Sequence, residues 1–155
     1  MYRAIQYLLL FSSCVSYSLI ATAQDTIKND KLSCTAKHLD TDKEVEVNVI
    51  SSIPGKKIAT AQWPLGYPTI AINDSAFVKL PKNAKEFVYY HECAHLKFRS
   101  NDEHKVDCES INLLAAERNY TEIDIRKLIQ TLNQEFGWSK RWEKLLDCRS
   151  FNDAK

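Results

Sequence analysis

Between residues 44 and 49 apolar and polar side chains alternate. Val45, Val47 and Val49 interleave with Glu44, Glu46 and Asn48, the period of two that marks a strand with one buried face. Asp40-Thr41-Asp42-Lys43 marks a turn before it and Pro54-Gly55-Lys56-Lys57 another after it. Residues 58–63 form the next strand candidate, ended by Pro64, and residues 68–73 read as a last strand. The polar stretch at residues 24–31 reads as a loose terminus.

Beyond residue 80 the period lengthens to that of a helix. Asn83 is the expected N-cap of a first helix, with Ala84, Phe87, Val88, Ala94 and Phe98 on or near its buried side. Residues 99–102 form a turn. A second helix runs to about Arg118 with Val106, Ile111, Leu113 and Leu114 apolar. Thr121, with Asp124 three residues on, opens a third helix carrying Ile125, Leu128, Ile129 and Leu132. Gly137 stops it, and Ser139 opens a fourth with Trp142, Leu145 and Leu146. Strands followed by helices give an α+β order: a small N-terminal antiparallel sheet, then a four-helix region. No repeat or linker interrupts it.

Composition adds a compartment. Residues 1–23 read as a signal peptide, with Arg3 as the positive start, a mostly apolar stretch at residues 7–20, and Ala21-Thr22-Ala23 as a cleavage site. That predicts a secreted or periplasmic protein of residues 24–155, long enough for one domain and one core. Loss of Arg3 leaves 20 basic and 20 acidic residues from the chain's 21 and 20. This balance calls for neither nucleic acid nor an anionic membrane surface, and no stable membrane insertion is expected after signal removal. Cys34, Cys93, Cys108 and Cys148 remain, an even number in an exported chain, which predicts two disulfides in one of three connectivities.

The chemistry is concentrated in His91-Glu92-Cys93-Ala94-His95. Side chains four apart share a helix face, so His91 and His95 can grip one metal ion, with Glu92 beside them as general base for a water. Catalytic zinc takes three protein ligands and keeps one position open. Glu103, on the helix that starts near Asp102, is the expected third ligand. Asp107 shares its face and is placed to accept the second N–H of a ligating imidazole. Two rival readings stay open: Ser100 and Glu103 as a capping box, and His104, with Asp107 behind it, as the third ligand.

H-E-x-x-H followed by E-x-x-x-D on the next helix resembles the gluzincin metallopeptidases, in particular minimal secreted bacterial ones with "HEC…H" and "DC" helices. His91, Glu92, Cys93, His95, Glu103, Asp107 and Cys108 carry the resemblance, which extends over residues 68–115. The link of seven residues between His95 and Glu103 is shorter than in many gluzincins. The resemblance implies a single zincin-like domain over residues 24–155, one Zn2+ per chain, and hydrolysis of a peptide or protein substrate with Glu92 as base. It also implies disulfides Cys93–Cys108 and Cys34–Cys148, and an extended substrate held along an edge strand beside the metal. Residues 68–73 are either that edge strand or a covered strand whose Ile70 and Ile72 fill the core.

His104, Tyr67, Arg99 and Tyr120 are the candidates for stabilising an oxyanion, and the sequence does not choose among them. Tyr89 and Tyr90 read as packing residues, and His38 as ordinary surface. The alternative to an enzyme is a catalytically silent, zinc-stabilised peptide- or protein-binding module on the same scaffold. A protein ligand such as His104 in the fourth metal position would mark it.

Overall fold

The computed structural model describes residues 22–51, 55, 57–137 and 139–148. The signal peptide expected at residues 1–23 lies almost wholly outside them. The fold is mixed α+β. Helix α1 (Ala23–Asn29) precedes strands β1 (Thr35–Lys37), β2 (Glu44–Glu46), β3 (Asn48–Ser51), β4 (Ala59–Gln62) and β5 (Thr69–Ile72). A short α2 (Asp74–Phe77) leads into α3 (Lys82–Phe98), α4 (Glu103–Arg118), α5 (Glu122–Phe136) and α6 (Lys140–Glu143).

The strands form two sheets. Strands β1 and β2 make an antiparallel pair, and β3, β5 and β4 lie side by side with β5 in the middle, parallel to β3 and antiparallel to β4. All four residues of β5 are buried, Thr69 with the apolar run Ile70-Ala71-Ile72, as suits a central strand covered on both faces. Of the two readings of residues 68–73, the covered strand is the one found, and β4 is an edge. The alternation from Val45 to Val49 is divided at Val47, which leaves β2 and β3 in different sheets.

Residues 24–31 are not a loose terminus. Thr22 and Asp25 form a capping box that starts α1, the Ala23 N–H donates to Asp74, and Ile27 enters the core. His38 is buried rather than superficial: its Nδ1 accepts the Asp40 N–H and its ring meets Tyr67 edge-on.

Helix α3 is the spine, packing on β1, β4, β5, α4 and α5. Its N-cap is Pro81 rather than Asn83, whose side chain instead accepts the Ala84 N–H and donates to Thr131. Tyr89 and Tyr90 are buried as packing residues, alongside Leu96, Ile111, Leu114, Ile125, Leu128 and Leu132. Asp102 caps α4 with its own side chain, and Ser100 accepts the Asp102 N–H, so Ser100 and Glu103 do not form a capping box. The Thr121 and Asp124 capping box, the Gly137 stop and the Ser139 cap stand where the sequence places them.

Both disulfides form, in a different pairing from the one the resemblance implies. Cys34 bonds Cys93 and Cys108 bonds Cys148. Cys93 is two residues from each histidine and so projects from the opposite face of α3, towards β1 rather than α4. Cys108 likewise leaves the Glu103/Asp107 face and meets the segment after α6.

Candidate metal centre

The twelve residues after His91 decide the site. His91 and His95 stand one helical turn apart, their rings edge-to-face at 4.7 Å and their Nε2 atoms 3.1 Å apart. Arg99 then ends α3 in the left-handed region at φ 47°, turning the chain so that α4 returns along α3. The Asp102 carboxylate accepts the N–H groups of His104 and Lys105, fixing the first turn of α4 and with it Glu103. Glu103 Oε2 comes to 3.4 Å from His91 Nε2, and Oε1 to 3.5 Å from His95 Nε2. Ligand atoms about 2.0–2.1 Å from a tetrahedral zinc are about 3.3–3.4 Å from one another. The two nitrogens, and each nitrogen with the Glu103 oxygen that faces it, therefore lie close to that spacing.

Hydrogen bonds behind the rings fix what the facing atoms are. His95 Nδ1 is 2.7 Å from the Ser100 carbonyl, which can only accept, so Nδ1 carries the proton and Nε2 a lone pair. His91 Nδ1 is 3.0 Å from Asp107 Oδ1, close but off the line of an ideal hydrogen bond. That contact favours the same tautomer. Two imidazole lone pairs and a carboxylate thus face one point, a repulsive arrangement that a cation relieves. His91, His95 and Glu103 form a candidate metal-binding triad.

Asp107 is 1% exposed. Burial pushes its carboxyl up, but hydrogen bonds from Arg141 and His91 outweigh this and hold it below the usual carboxylate range. Burial raises the Glu92 carboxyl above that range, against the pull of His91, His95 and the Ala61 amide, while Glu103 pushes the same way as burial. Glu92 lines a cleft of about 330 Å³ together with His91, His95, Glu103, Asn101 and β4 with its flanks.

Among the described residues, β4 has no strand partner on the side that faces this cleft. The Ile58 carbonyl accepts the Asn73 N–H, so in the antiparallel ladder Thr60 and Gln62 are the next residues bonded to β5. The backbone groups of Ala59 and Ala61 point the other way, which agrees with the Ala61 amide acting on Glu92.

His104 does not join the triad. It lies exposed beside Cys108 and Cys148, whose sulfurs bond each other. Tyr67 packs on His38, Arg99 donates to the His38 carbonyl and Asp42, and Tyr120 donates to Glu86. None of these four oxyanion candidates lines the cleft. The residues that sequence reasoning missed are Arg141, which reaches Asp107 and Glu103, and Lys57 at the cleft wall. Arg141 also borders an adjoining apolar hollow formed by Phe87, Val88, Phe136 and Trp142. No local spacing could have shown Arg141, because its partner Asp107 is 34 residues away.

Comparison of the chain with protein-family models, with curated proteins and with solved structures finds no match.

Proposed function

We infer that the chain is an exported zinc-dependent metallopeptidase of gluzincin-like type. The observation that carries this reading is the convergence of His91 Nε2, His95 Nε2 and the Glu103 carboxylate at 3.1–3.5 Å, with Glu92 in the same open cleft. Two nitrogens and one carboxylate oxygen in an open site suit zinc. When bound, zinc polarises a scissile carbonyl and lowers the pKa of a water towards about 7. Glu92, in the cleft beside both histidines, would take the proton from that water and return it to the departing amine. Asp107 keeps the proton of His91 on Nδ1, and Ser100 does so for His95. The outward Ala59 N–H and C=O and the Ala61 C=O offer an extended peptide a strand edge to pair with.

Two disulfides are compatible with an oxidising compartment, and no helix among the described residues is long and apolar enough to cross a membrane. A silent binding module would need neither a base at Glu92 nor an open fourth position, and His104 stands away from the triad.

Metal content by mass spectrometry tests the reading. One zinc per chain, lost in both His91→Ala and Glu103→Ala, is expected, with peptide hydrolysis abolished in Glu92→Gln while its zinc remains. Zinc retained in Glu103→Ala would remove Glu103 from the site, and zinc-loaded protein inert towards a peptide library would favour the binding module.

A further inference from the structure

Two turns meet at the end of the cleft beyond β4. One follows Trp63, which lines the cleft, and continues Pro64-Leu65-Gly66-Tyr67; the other holds His38, Leu39 and Asp40. The Leu39 N–H donates to the Gly66 carbonyl at 2.9 Å and joins them. Gly66 sits at φ 82°, and a Cβ there would come within 2.6 Å of the buried His38 ring and 2.8 Å of Asp40. The Gly66 and Tyr67 N–H groups donate back to Trp63 and Pro64, and the Tyr67 ring packs on His38. The turn is fixed on every side but one.

On the open side stands Leu65. Its backbone is left-handed, φ 53° and ψ 33°, a conformation disfavoured for any residue with a Cβ, and its side chain is 92% exposed. Single exposed leucines are ordinary, but this one is held in a strained backbone and gains no packing for it. Leu39, at 45% exposure, and Tyr67, at 50%, lie in the two joined turns beside it. Leu65 is two residues from Trp63, within about 7 Å of chain from the cleft.

We propose that Leu65, with Leu39 and Tyr67, is an apolar docking platform for an extended stretch of a protein substrate, engaging a side chain that precedes the bond to be cleaved. This rests on the peptidase reading for its direction. A peptide paired antiparallel with β4, the more stable pairing, runs from the Gln62 end towards the Ala59 end, which puts its N-terminal part at Leu65. The occupant is polypeptide rather than an anionic lipid surface, because Asp40 and Asp42 stand in the same turn, Lys37 and Arg99 are paired with Asp42, and Lys43 by itself is no basic cluster.

Leu65→Gly and Leu65→Asn both accept positive φ, so neither should unfold the protein. In the zinc-loaded full chain, kcat/KM on reduced, carboxymethylated lactalbumin is expected to fall about tenfold, through KM, the order set by burying one leucine side chain. An N-blocked dipeptide, with one residue of about 3.5 Å before the bond, is too short to reach the platform and should change less than about twofold on the same scale, with zinc content unchanged and Tm equal or higher. Equal losses on both substrates, or none on either, would overturn the proposal. So would a wild-type dimer that the variants split in sedimentation, which would make the surface a self-interface. If wild type cleaves neither substrate, the peptidase reading fails separately. Binding to immobilised carboxymethylated lactalbumin then decides: affinity weakened about tenfold in Leu65→Gly sustains the platform, and equal affinity sinks it.

Discussion

Arg141 grips Asp107 with two nitrogens, Nε at 2.6 Å from Oδ2 and Nη2 at 2.7 Å from Oδ1. The same Nη2 reaches Glu103 Oε2 at 2.8 Å. One guanidinium therefore holds both the carboxylate behind His91 and the carboxylate that faces the two imidazoles. Arg141→Ala is expected to weaken zinc binding about ten- to a hundredfold, the usual cost of losing an outer hydrogen-bond partner of a metal site. Removing one partner of a fully buried pair costs about 3–5 kcal/mol. Since the Arg141 side chain is 38% exposed, about 2 kcal/mol is the expected loss in the metal-free protein. Lysine restores the charge but not the fork, so Arg141→Lys should recover only part of either. Chelator competition and urea unfolding measure the two effects, and an unchanged zinc affinity in Arg141→Ala would reduce the clamp to a structural role.

What the sequence made legible here was local. His91 with His95, Glu103 with Asp107, and Thr121 with Asp124 are all fixed by helical spacing, and each pair lies as spacing requires. What it concealed was long-range. Arg141 arrives at Asp107 only because the Ser139 cap and the Cys108–Cys148 bond carry α6 back to α4. The alternation at residues 44–49 promised one strand, yet which sheet each half joins depends on partners far along the chain, Thr35 for Glu46 and Thr69 for Asn48. The disulfide pairing that the resemblance implies fails because Cys93 stands on the face of α3 opposite His91 and His95, where Cys34 rather than Cys108 meets it.

The two disulfides should differ in what they protect. Cys34–Cys93 and Cys108–Cys148 span 59 and 40 residues, so loop-closure entropy predicts about 4 kcal/mol from each. Replacing Cys34 and Cys93 by serine is expected to lower stability while leaving zinc affinity near wild type, because that bond ties α3 to the chain before β1. Replacing Cys108 and Cys148 frees the segment that delivers Arg141 and should cost both. Equal zinc affinities in the two double variants would sever the link between the C-terminal bond and the metal site.

Alkaline pH should loosen the same helices by a separate route. Burial raises the Tyr90 hydroxyl to about 12, with Glu117 and Glu86 adding to the shift and Arg118 opposing it. Burial raises Tyr89 and Tyr120 as well, and Tyr120 also donates to Glu86 at 2.5 Å. A phenol whose folded pKa exceeds the unfolded value of about 10 stays protonated longer in the native state. Its contribution is intact below about pH 10 and is lost as pH rises from there towards about 12. Urea midpoints should therefore decline above about pH 10, and Tyr90→Phe should flatten the decline. An equally steep fall in Tyr90→Phe would assign the effect elsewhere.

The free edge of β4 gives the sharpest separation of function from fold. Ala61 directs its N–H away from β5 towards Glu92, whereas the neighbouring Thr60 spends its backbone groups on Ala71. Proline removes the N–H at either place, and proline is tolerated on the outward positions of an edge strand. Thr60→Pro breaks a ladder bond and should destabilise the protein by at least about 1–3 kcal/mol. Ala61→Pro keeps the ladder and should cost less stability than Thr60→Pro, yet lower kcat/KM at least about tenfold, since it removes the one N–H that acts on the base. Loss of stability in Ala61→Pro comparable to that in Thr60→Pro would mean that the Ala61 amide belongs to the sheet after all, and the cleft would then lack the strand edge on which an extended peptide is expected to lie.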